Sequence, residues 1–253
     1  VQSCQLFFVE EERTARRFLK KLLPEIQIDD YEWVLADRRT VHESVTRKQF
    51  TEALKANKNI GVMSEAGCPG IADPGQELVA LAHKLGIQVK PLVGPSAILL
   101  SLMASGLNGQ TFCFSGYLPI EKELRIKKIR ELEMESGKKK MTQLFMETPY
   151  RNAALLEDIL KTCRKDTRLC IAASLTGEDE FILTRPVSEW QGVLPDLHKP
   201  SDLRRRLASG CANGRIEALP GHLHRPLHSL WRTLWTLLAP RSGGADRRTT
   251  TEF

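Results

Sequence analysis

The residues best placed to do chemistry form one long loop, Ser64–Gly75, which follows the short apolar run Asn59–Met63. The loop contains three glycines, two prolines and two carboxylates, namely Gly67, Gly70, Gly75, Pro69, Pro74, Glu65 and Asp73. Glycine lets a backbone approach a ligand closely or take a positive φ. A tight turn needs far fewer residues, and α/β proteins bind ligands where buried strands end. The loop therefore predicts a ligand site rather than a plain turn between a strand and a helix.

A second motif, Val93-Gly94-Pro95-Ser96-Ala97, indicates a helix start that would face the same edge of a sheet. Pro95 suits the first helical position because its missing N–H is not needed there. The free N–H groups of a helix start can bind a ligand. A plain helix start explains the motif equally well, so the motif supports a site only beside the first loop.

Apolar runs and helical spacing alternate through the first two thirds of the chain. The predicted strands are Gln5–Val9, Asn59–Met63, Ile87–Val93, Thr111–Ser115, Gln143–Met146, Arg168–Ala173 and Glu180–Thr184. The predicted helices are Arg13–Leu23, Arg47–Asn57, Gln76–Leu85, Ala97–Ser105, Glu121–Glu135 and Asn152–Cys163. This order predicts an α/β domain with a mainly parallel sheet over residues 1–109, then an α+β domain over 110–199.

Composition sets broad limits on the class of protein. The chain has 253 residues, a net charge of +6 and a pI near 9.0. That charge fits a polyanion partner such as RNA, although a basic surface also serves solubility. The six cysteines form no C-x-x-C pair, which is typical of free thiols in a reducing compartment. With no secretory leader pattern and no long apolar span, the chain is expected to be cytoplasmic, without membrane or metal.

The segment after Lys199 differs in composition from the rest. It uses arginine and no lysine, and it lacks valine, tyrosine and methionine. A reading-frame change or a natural basic tail would each produce this pattern. We expect residues 200–253 to be an irregular arginine-rich tail outside the packed second domain, with one short helix at Leu227–Leu238 at most. His222, His224 and His228 lack the Asp and Cys partners of a metal site.

Five motifs together resemble S-adenosylmethionine-dependent methyltransferases of the tetrapyrrole-methylase fold, and within them the ribosomal RNA small subunit methyltransferase I group. The motifs are Glu10–Leu19, Ser64–Gly75, Gly94–Ala97 with Ala104–Leu107, Phe114–Pro119 and Phe145–Arg151. They resemble E-D-T-R-x-T-x-x-L, S-D-A-G-x-P-x-I-x-D-P-G, G-P-S-A with A-S-G-L, F-x-G-F-L-P and F-x-E-S-P-H-R. The resemblance covers Gln5 to about His198.

The resemblance implies a two-domain fold, the cofactor S-adenosylmethionine and methylation of a cytidine ribose 2′-hydroxyl in small-subunit ribosomal RNA. The residues that would hold the cofactor are Glu65, Ala66, Gly67, Pro69, Ile71, Asp73, Pro95, Ser96, Ala97 and Thr176. It also implies a homodimer. A ribose hydroxyl must lose its proton, so a carboxylate would help. Glu147 and Asp73 are the candidates, although Glu147 can instead pair with Arg151.

Three departures from the family pattern are visible. The first strand and proline-containing loop of the family would precede Val1, which predicts a truncated form. The family has A-R-E-L-T where this chain has Ala173-Ser174-Leu175-Thr176. The closing strands after His198 are expected to be missing. A methylase of a small molecule or protein side chain, and an inactive RNA-binding copy, remain alternatives. The basic residues Arg125–Arg130 and Lys138–Lys140 either guide RNA phosphates or form a solvated helix face.

Overall fold

A computed structural model describes residues 1–190 and 234–239, and the chain divides into two compact units between Ser96 and Ala97. The first unit contains a parallel sheet of three strands in the order β2-β1-β3. The strands are β1 (Leu6–Val9), β2 (Glu32–Leu35) and β3 (Ile60–Met63). Three helices belong to the same unit: α1 (Glu12–Leu22), α2 (Ser44–Lys55) and α3 (Gly75–Lys84).

The central strand β1 is apolar at every position because both of its faces are covered. Phe8 lies on one face, where its ring meets Phe50 of α2 edge-on at 5.1 Å between centroids. Phe7 lies on the other face, stacked on Trp33 with centroids 5.1 Å apart. Leu19 of α1 packs on that second face. A continuous apolar run therefore makes the middle strand of a sandwiched sheet, as the sequence predicts.

One expectation for the first unit is wrong, and one strand has no counterpart in the sequence analysis. The segment Ile87–Val93 is not a strand, and Leu92 and Val93 lie exposed. Pro91 has no N–H to donate to a ladder, and only Ile87 and Val89 reach the core. The strand Glu32–Leu35, in turn, was not predicted. It is short, half-exposed and beside charged residues, so its own pattern is weak.

The second unit contains a mixed sheet of five strands in the order β4-β5-β8-β6-β7. Its strands are β4 (Phe112–Tyr117), β5 (Thr142–Glu147), β6 (Arg168–Ala173), β7 (Phe181–Pro186) and β8 (Leu234–Ala239). Its helices are α4 (Ala97–Ser105), α5 (Lys122–Lys139) and α6 (Asn152–Thr162). The core between helices and sheet contains Ile129, Phe145, Ile159 and Trp190, none of them exposed.

The helix α4 belongs to the second unit, so the compact unit begins at Ala97 rather than near residue 110. Ala97 packs with Met146 and Ala172, and Leu102 packs with Leu144. The sequence boundary followed the chain order of strands and helices, whereas the packing follows the apolar face of α4.

The expectation that nothing after residue 200 joins the second domain is wrong for one segment. β8 lies between β5 and β6 and pairs antiparallel with both, so that Thr236 is opposite Phe145 and Ile171. The predicted helix Leu227–Leu238 is a strand from Leu234 onward. The earlier part of that helix, the three histidines and the rest of the arginine-rich segment lie outside the described residues. No helix in the described ranges is long and apolar enough to cross a membrane.

Candidate functional site

The three parallel strands of the first unit end at one edge of their sheet, and a small pocket lies there. The backbone N–H of Glu10 donates to the Met63 carbonyl at 3.1 Å, and the N–H of Ala36 donates to the Val9 carbonyl at 2.8 Å. These bonds hold the three strand ends together. The walls of the pocket are apolar side chains, and its polar lining comes from carboxylates and a hydroxyl. The lining includes Phe8, Val62, Leu78, Glu10, Ser64 and Asp73.

Asp73 folds the long loop that leaves β3. Its Oδ1 accepts hydrogen bonds from the backbone N–H groups of Gly70 and Gly75, each at 2.7 Å. The other carboxylate oxygen, Oδ2, is buried and has no hydrogen-bond partner within the part of the chain that the structure describes. One oxygen of Asp73 therefore fixes the loop, and the other is left without a partner in the described part of the chain, at a residue that lines the pocket.

The loop backbone takes left-handed conformations at Gly67 (φ 82°), Gly70 (φ 80°) and Ala72 (φ 61°). L side chains adopt this region at a cost, and glycine does not. Gly75 is needed for a different reason, since a Cβ there would lie 2.9 Å from Asp73 Oδ1. The glycines that suggested a ligand site in the sequence thus meet real backbone requirements of the loop.

The outer surface of the loop is open to solvent. Glu65, Ala66, Gly67, Pro69 and Ile71 are all exposed. Ile71 is 52% exposed, which is high for a large apolar side chain in a constrained loop. An exposed apolar residue beside exposed peptide groups can contact a ligand that is partly apolar and partly polar.

Cys68 brings the second sequence motif to the loop. Its Sγ lies 3.6 Å from the carbonyl oxygen of Pro95 and 3.9 Å from that of Gly94. Pro95 is exposed and Ser96 is half-buried. Ala97 is the first residue of α4 and is 3% exposed, within the core of the second unit. Gly94 and Pro95 therefore lie beside the Ser64–Gly75 loop within the first unit.

Glu10 is a site residue that the sequence did not single out. Its Oε2 accepts a hydrogen bond from the backbone N–H of Glu65 at 2.9 Å, which links the end of β1 to the start of the loop. The usable signal was its position, because it is the first polar residue after a buried strand whose end lies beside that of β3. A carboxylate at that position lies at the same edge of the sheet as Asp73.

In the second unit, Glu147 is completely buried at the end of β5. Its Oε2 lies 2.9 Å from a guanidinium nitrogen of Arg151, and its Oε1 accepts from the N–H of Thr148 at 2.8 Å. The same Arg151 nitrogen donates to the carbonyls of Leu118 and Pro119, each at 3.2 Å. Glu147 and Arg151 thus form the ion pair that the sequence offered as an alternative to catalysis.

Thr176 lies on the loop between β6 and β7, where its side chain is exposed. Its backbone is left-handed (φ 63°), and its N–H donates to Glu180 at 2.7 Å. Ser174, two residues earlier, is also left-handed (φ 51°). The short segment Ala173–Thr176 therefore makes a tight, strained turn at the place where the family pattern is one residue longer.

Comparison with known proteins gives consistent matches. The family profile described as Tetrapyrrole (Corrin/Porphyrin) Methylases matches residues 1–191. A Vibrio cholerae protein named Ribosomal RNA small subunit methyltransferase I is 32% identical over 221 residues, which are 86% of this chain and 74% of that protein. An Escherichia coli O157:H7 protein of the same name is 36% identical over 136 residues, which are 54% of this chain and 46% of that protein.

Among solved structures, the methyltransferase CobJ has a similar fold, with a TM-score of 0.52 and 15% sequence identity. The match covers 98% of this chain and 87% of CobJ. The similarity in sequence and fold has one explanation. The chain belongs to the tetrapyrrole (corrin/porphyrin) methylase family.

Proposed function

We propose that this chain is an S-adenosylmethionine-dependent methyltransferase that modifies a ribose 2′-hydroxyl in small-subunit ribosomal RNA. The observation that carries the proposal is the Asp73-folded loop at the sheet edge, within a chain whose curated relatives bear the name of a ribosomal RNA methyltransferase. The chain spans about three quarters of the Vibrio cholerae relative and about half of the Escherichia coli one.

The residues at the sheet edge fit S-adenosylmethionine. The free Oδ2 of Asp73 and the exposed peptide groups of Glu65, Ala66 and Gly67 offer hydrogen bonds to its polar groups. Ile71 and Pro69 offer apolar contact to its ring and to its methylene groups. Pro95 and Ser96 would close one side of the site. Ala97 and Thr176, the other two residues that the resemblance implies, belong to the second unit.

When bound, S-adenosylmethionine supplies a methyl group already activated by its sulfonium, so the protein mainly has to position the acceptor. The chain's own task is then to hold the loop rigid and to take a proton from the hydroxyl. The unpartnered Oδ2 supports Asp73 as a carboxylate that touches a ligand. For Glu147, the ion pair with Arg151 supports a positioning role for the turn after β5.

Methyl transfer from radiolabelled S-adenosylmethionine tests the proposal. We expect label in ribosomal RNA when small ribosomal subunits are the acceptor, and none with free tetrapyrroles or peptides. Mass analysis of nucleosides should then place the methyl group on a ribose. Label in a tetrapyrrole instead would favour the second candidate, a small-molecule methylase, which the description of the family itself suggests. Cofactor binding without any transfer would favour an inactive copy.

We also propose that the chain acts in the cytoplasm as a homodimer. The five described cysteines are all free, which fits a reducing compartment. Light scattering during size-exclusion chromatography measures the mass in solution. A mass of one chain at micromolar concentration would contradict the dimer.

A further inference from the structure

Four exposed arginines lie at the corner where β1 and β2 end. Arg13 and Arg17 are on α1, which starts two residues after Glu10, and Arg38 and Arg39 follow the end of β2. The Ala36 N–H bond to the Val9 carbonyl, 2.8 Å long, joins the two strand ends. Neighbouring strands are about 4.8 Å apart, so the two arginine-bearing turns emerge side by side.

The two turns have the same construction. Glu11 accepts hydrogen bonds from the backbone N–H groups of Arg13 and Thr14, at 2.9 and 2.5 Å. Asp37 accepts from the backbone N–H groups of Arg39 and Thr40, each at 2.8 Å. In both turns the carboxylate bonds the arginine's backbone rather than its guanidinium.

These bonds have an electrostatic consequence. Hydrogen bonds, chiefly from the Thr14 side chain, lower the pKa of Glu11, and backbone bonds, chiefly from Thr40, lower the pKa of Asp37. Both carboxylates are occupied by their own turns. Within residues 1–190, no guanidinium of Arg13, Arg17 or Arg38 lies within 4.0 Å of a carboxylate, and the same holds for Arg39.

Two of the five lysines of α5 differ in this respect. Lys128 pairs with Glu131 at 3.7 Å, and Lys139 pairs with Glu135. The Glu135 carboxylate also raises the pKa of Lys139. Charges that are matched along a helix face attract a polyanion less than unmatched ones do. The arginine corner of the first unit places four exposed arginines, without such a partner in residues 1–190, on two adjacent turns, which makes it a candidate for a phosphate-binding surface.

We infer that Arg13, Arg17, Arg38 and Arg39 bind the phosphate backbone of the RNA substrate and present it at the edge where the cofactor loop starts. The inference rests on the proposed function. Glu10 connects the corner to that loop, since it precedes α1 and accepts from the N–H of Glu65. Arginine suits the role because its planar guanidinium matches phosphate oxygens in pairs. Phosphate contacts of this kind set register and orientation, not base sequence.

The test compares charge-removing variants of the full 253-residue chain. The first is the double variant Arg17→Gln/Arg38→Gln, and the second adds Arg13→Gln and Arg39→Gln. The matched control, Lys55→Gln/Lys84→Gln, removes two exposed charges from the last turns of α2 and α3, at the opposite edge of the sheet. The probe is a fluorescent single-stranded RNA of mixed sequence, and anisotropy gives its affinity over a series of salt concentrations.

We expect the slope of log affinity against log salt to become shallower by about 0.7 for each arginine that contacts a phosphate, hence by about 1.4 for the double variant. The control should keep the wild-type slope. Equal slopes for the corner variants and the control would overturn the inference, as would the absence of RNA binding by the wild-type chain. So would equal binding to anionic lipid vesicles with the same loss in the variants.

Calorimetry with S-adenosylhomocysteine on the same samples separates this inference from the proposed function. We expect the corner variants to keep the wild-type cofactor affinity, because their backbone N–H groups still reach Glu11 and Asp37. A wild-type chain that binds no S-adenosylhomocysteine would contradict the proposed function, while the RNA slopes would still decide the arginine surface.

Discussion

At the scale of single residues, Asp73 does most to shape the candidate site. One of its oxygens holds the N–H groups of Gly70 and Gly75, which are five residues apart in the chain, and so closes the loop on itself. The sequence indicated that Asp73 belonged to a ligand site, yet it gave no way to see that this carboxylate also folds the loop. The three-residue spacing between Gly70 and Asp73 is equally compatible with an Asp73 side chain that is solvated and bonds no loop backbone.

Gly75→Ala tests this role. The new Cβ would lie 2.9 Å from Asp73 Oδ1 and 3.3 Å from the Gly70 nitrogen, so the carboxylate must move and its two hydrogen bonds weaken. We expect a loss of about 1–2 kcal/mol in cofactor affinity, or roughly five- to thirtyfold. Calorimetry with S-adenosylhomocysteine measures it. Gly137→Ala is the control, because its Cβ meets nothing within 4 Å. Unchanged affinity in a folded Gly75→Ala chain would separate the loop from the site.

The lowered pKa of Asp37 leads to a prediction about the pH dependence of stability. Its folded pKa lies below the ordinary value, because Thr40 and Arg39 donate backbone hydrogen bonds to the carboxylate. A lowered folded pKa means that its stabilising contribution is complete above the unfolded pKa of about 3.9 and is lost as the pH falls through the folded value. We expect Asp37→Asn to reduce the acid-induced fall in thermal midpoint of the chain. Asp30→Asn, which removes an exposed carboxylate, should not. If the thermal midpoint depended on pH in the same way for the wild-type chain and both variants, this assignment would be contradicted.

At the scale of elements, local apolar pattern predicted most of the sheet. β1, β3, β5 and β6 lie where runs of apolar residues predict them, because neighbouring elements bury β1, β5 and β6 and half-bury β3. The exposed apolar segment Ile87–Val93 looks the same in sequence and is not a strand. Whether such a segment is buried depends on packing partners elsewhere in the chain, which a local sequence pattern does not show.

The strand β8 shows the same limit more sharply. Its place between β5 and β6 is set by two open ladder edges more than sixty residues earlier in the chain, not by its own composition. The arginine-rich surroundings predict an unattached tail, and the spacing of leucines in Leu227–Leu238 predicts a short helix. Leucine and tryptophan are compatible with either element, and only pairing decides between them.

Thr236→Pro tests the position of β8. Proline cannot donate to a ladder and is not tolerated in a central strand, so one neighbouring carbonyl would lose its donor at a buried position. We expect the free energy of unfolding to fall by about 1–3 kcal/mol, measured by chemical denaturation. Thr236→Ala is the control at the same site, since it keeps the N–H. If the two variants were equally stable, β8 would not be a paired central strand.

At the scale of the whole molecule, the fold and the family were predictable because five separated motifs occur in one order. The limits of the compact units and the role of the charges could not be predicted from the sequence. A net charge of +6 says little by itself, since Lys128 and Lys139 of α5 are each paired with a glutamate and the four corner arginines have no carboxylate within 4.0 Å in residues 1–190. The corner arginines lack such a partner in this range because the Glu11 and Asp37 carboxylates accept hydrogen bonds from backbone N–H groups and not from guanidinium groups. That arrangement depends on backbone geometry.

The cysteines allow the central claim, that the Ser64–Gly75 loop binds the cofactor, to be tested on the unmodified chain. Cys68 is half-buried in the loop, while Cys4 and Cys113 are half-buried elsewhere. Burial raises the pKa of the Cys170 thiol to about 11 and also raises that of Cys163, so both should resist alkylation in the folded chain.

The measurement is the alkylation rate of each cysteine by iodoacetamide, resolved by peptide mass analysis, with and without saturating S-adenosylhomocysteine. The account predicts that the ligand slows the alkylation of Cys68 at least about tenfold, which corresponds to about 1.4 kcal/mol, and leaves the rates of Cys4 and Cys113 unchanged. An unchanged Cys68 rate in a sample that calorimetry shows to be saturated would contradict the account, because the cofactor would then bind away from this loop.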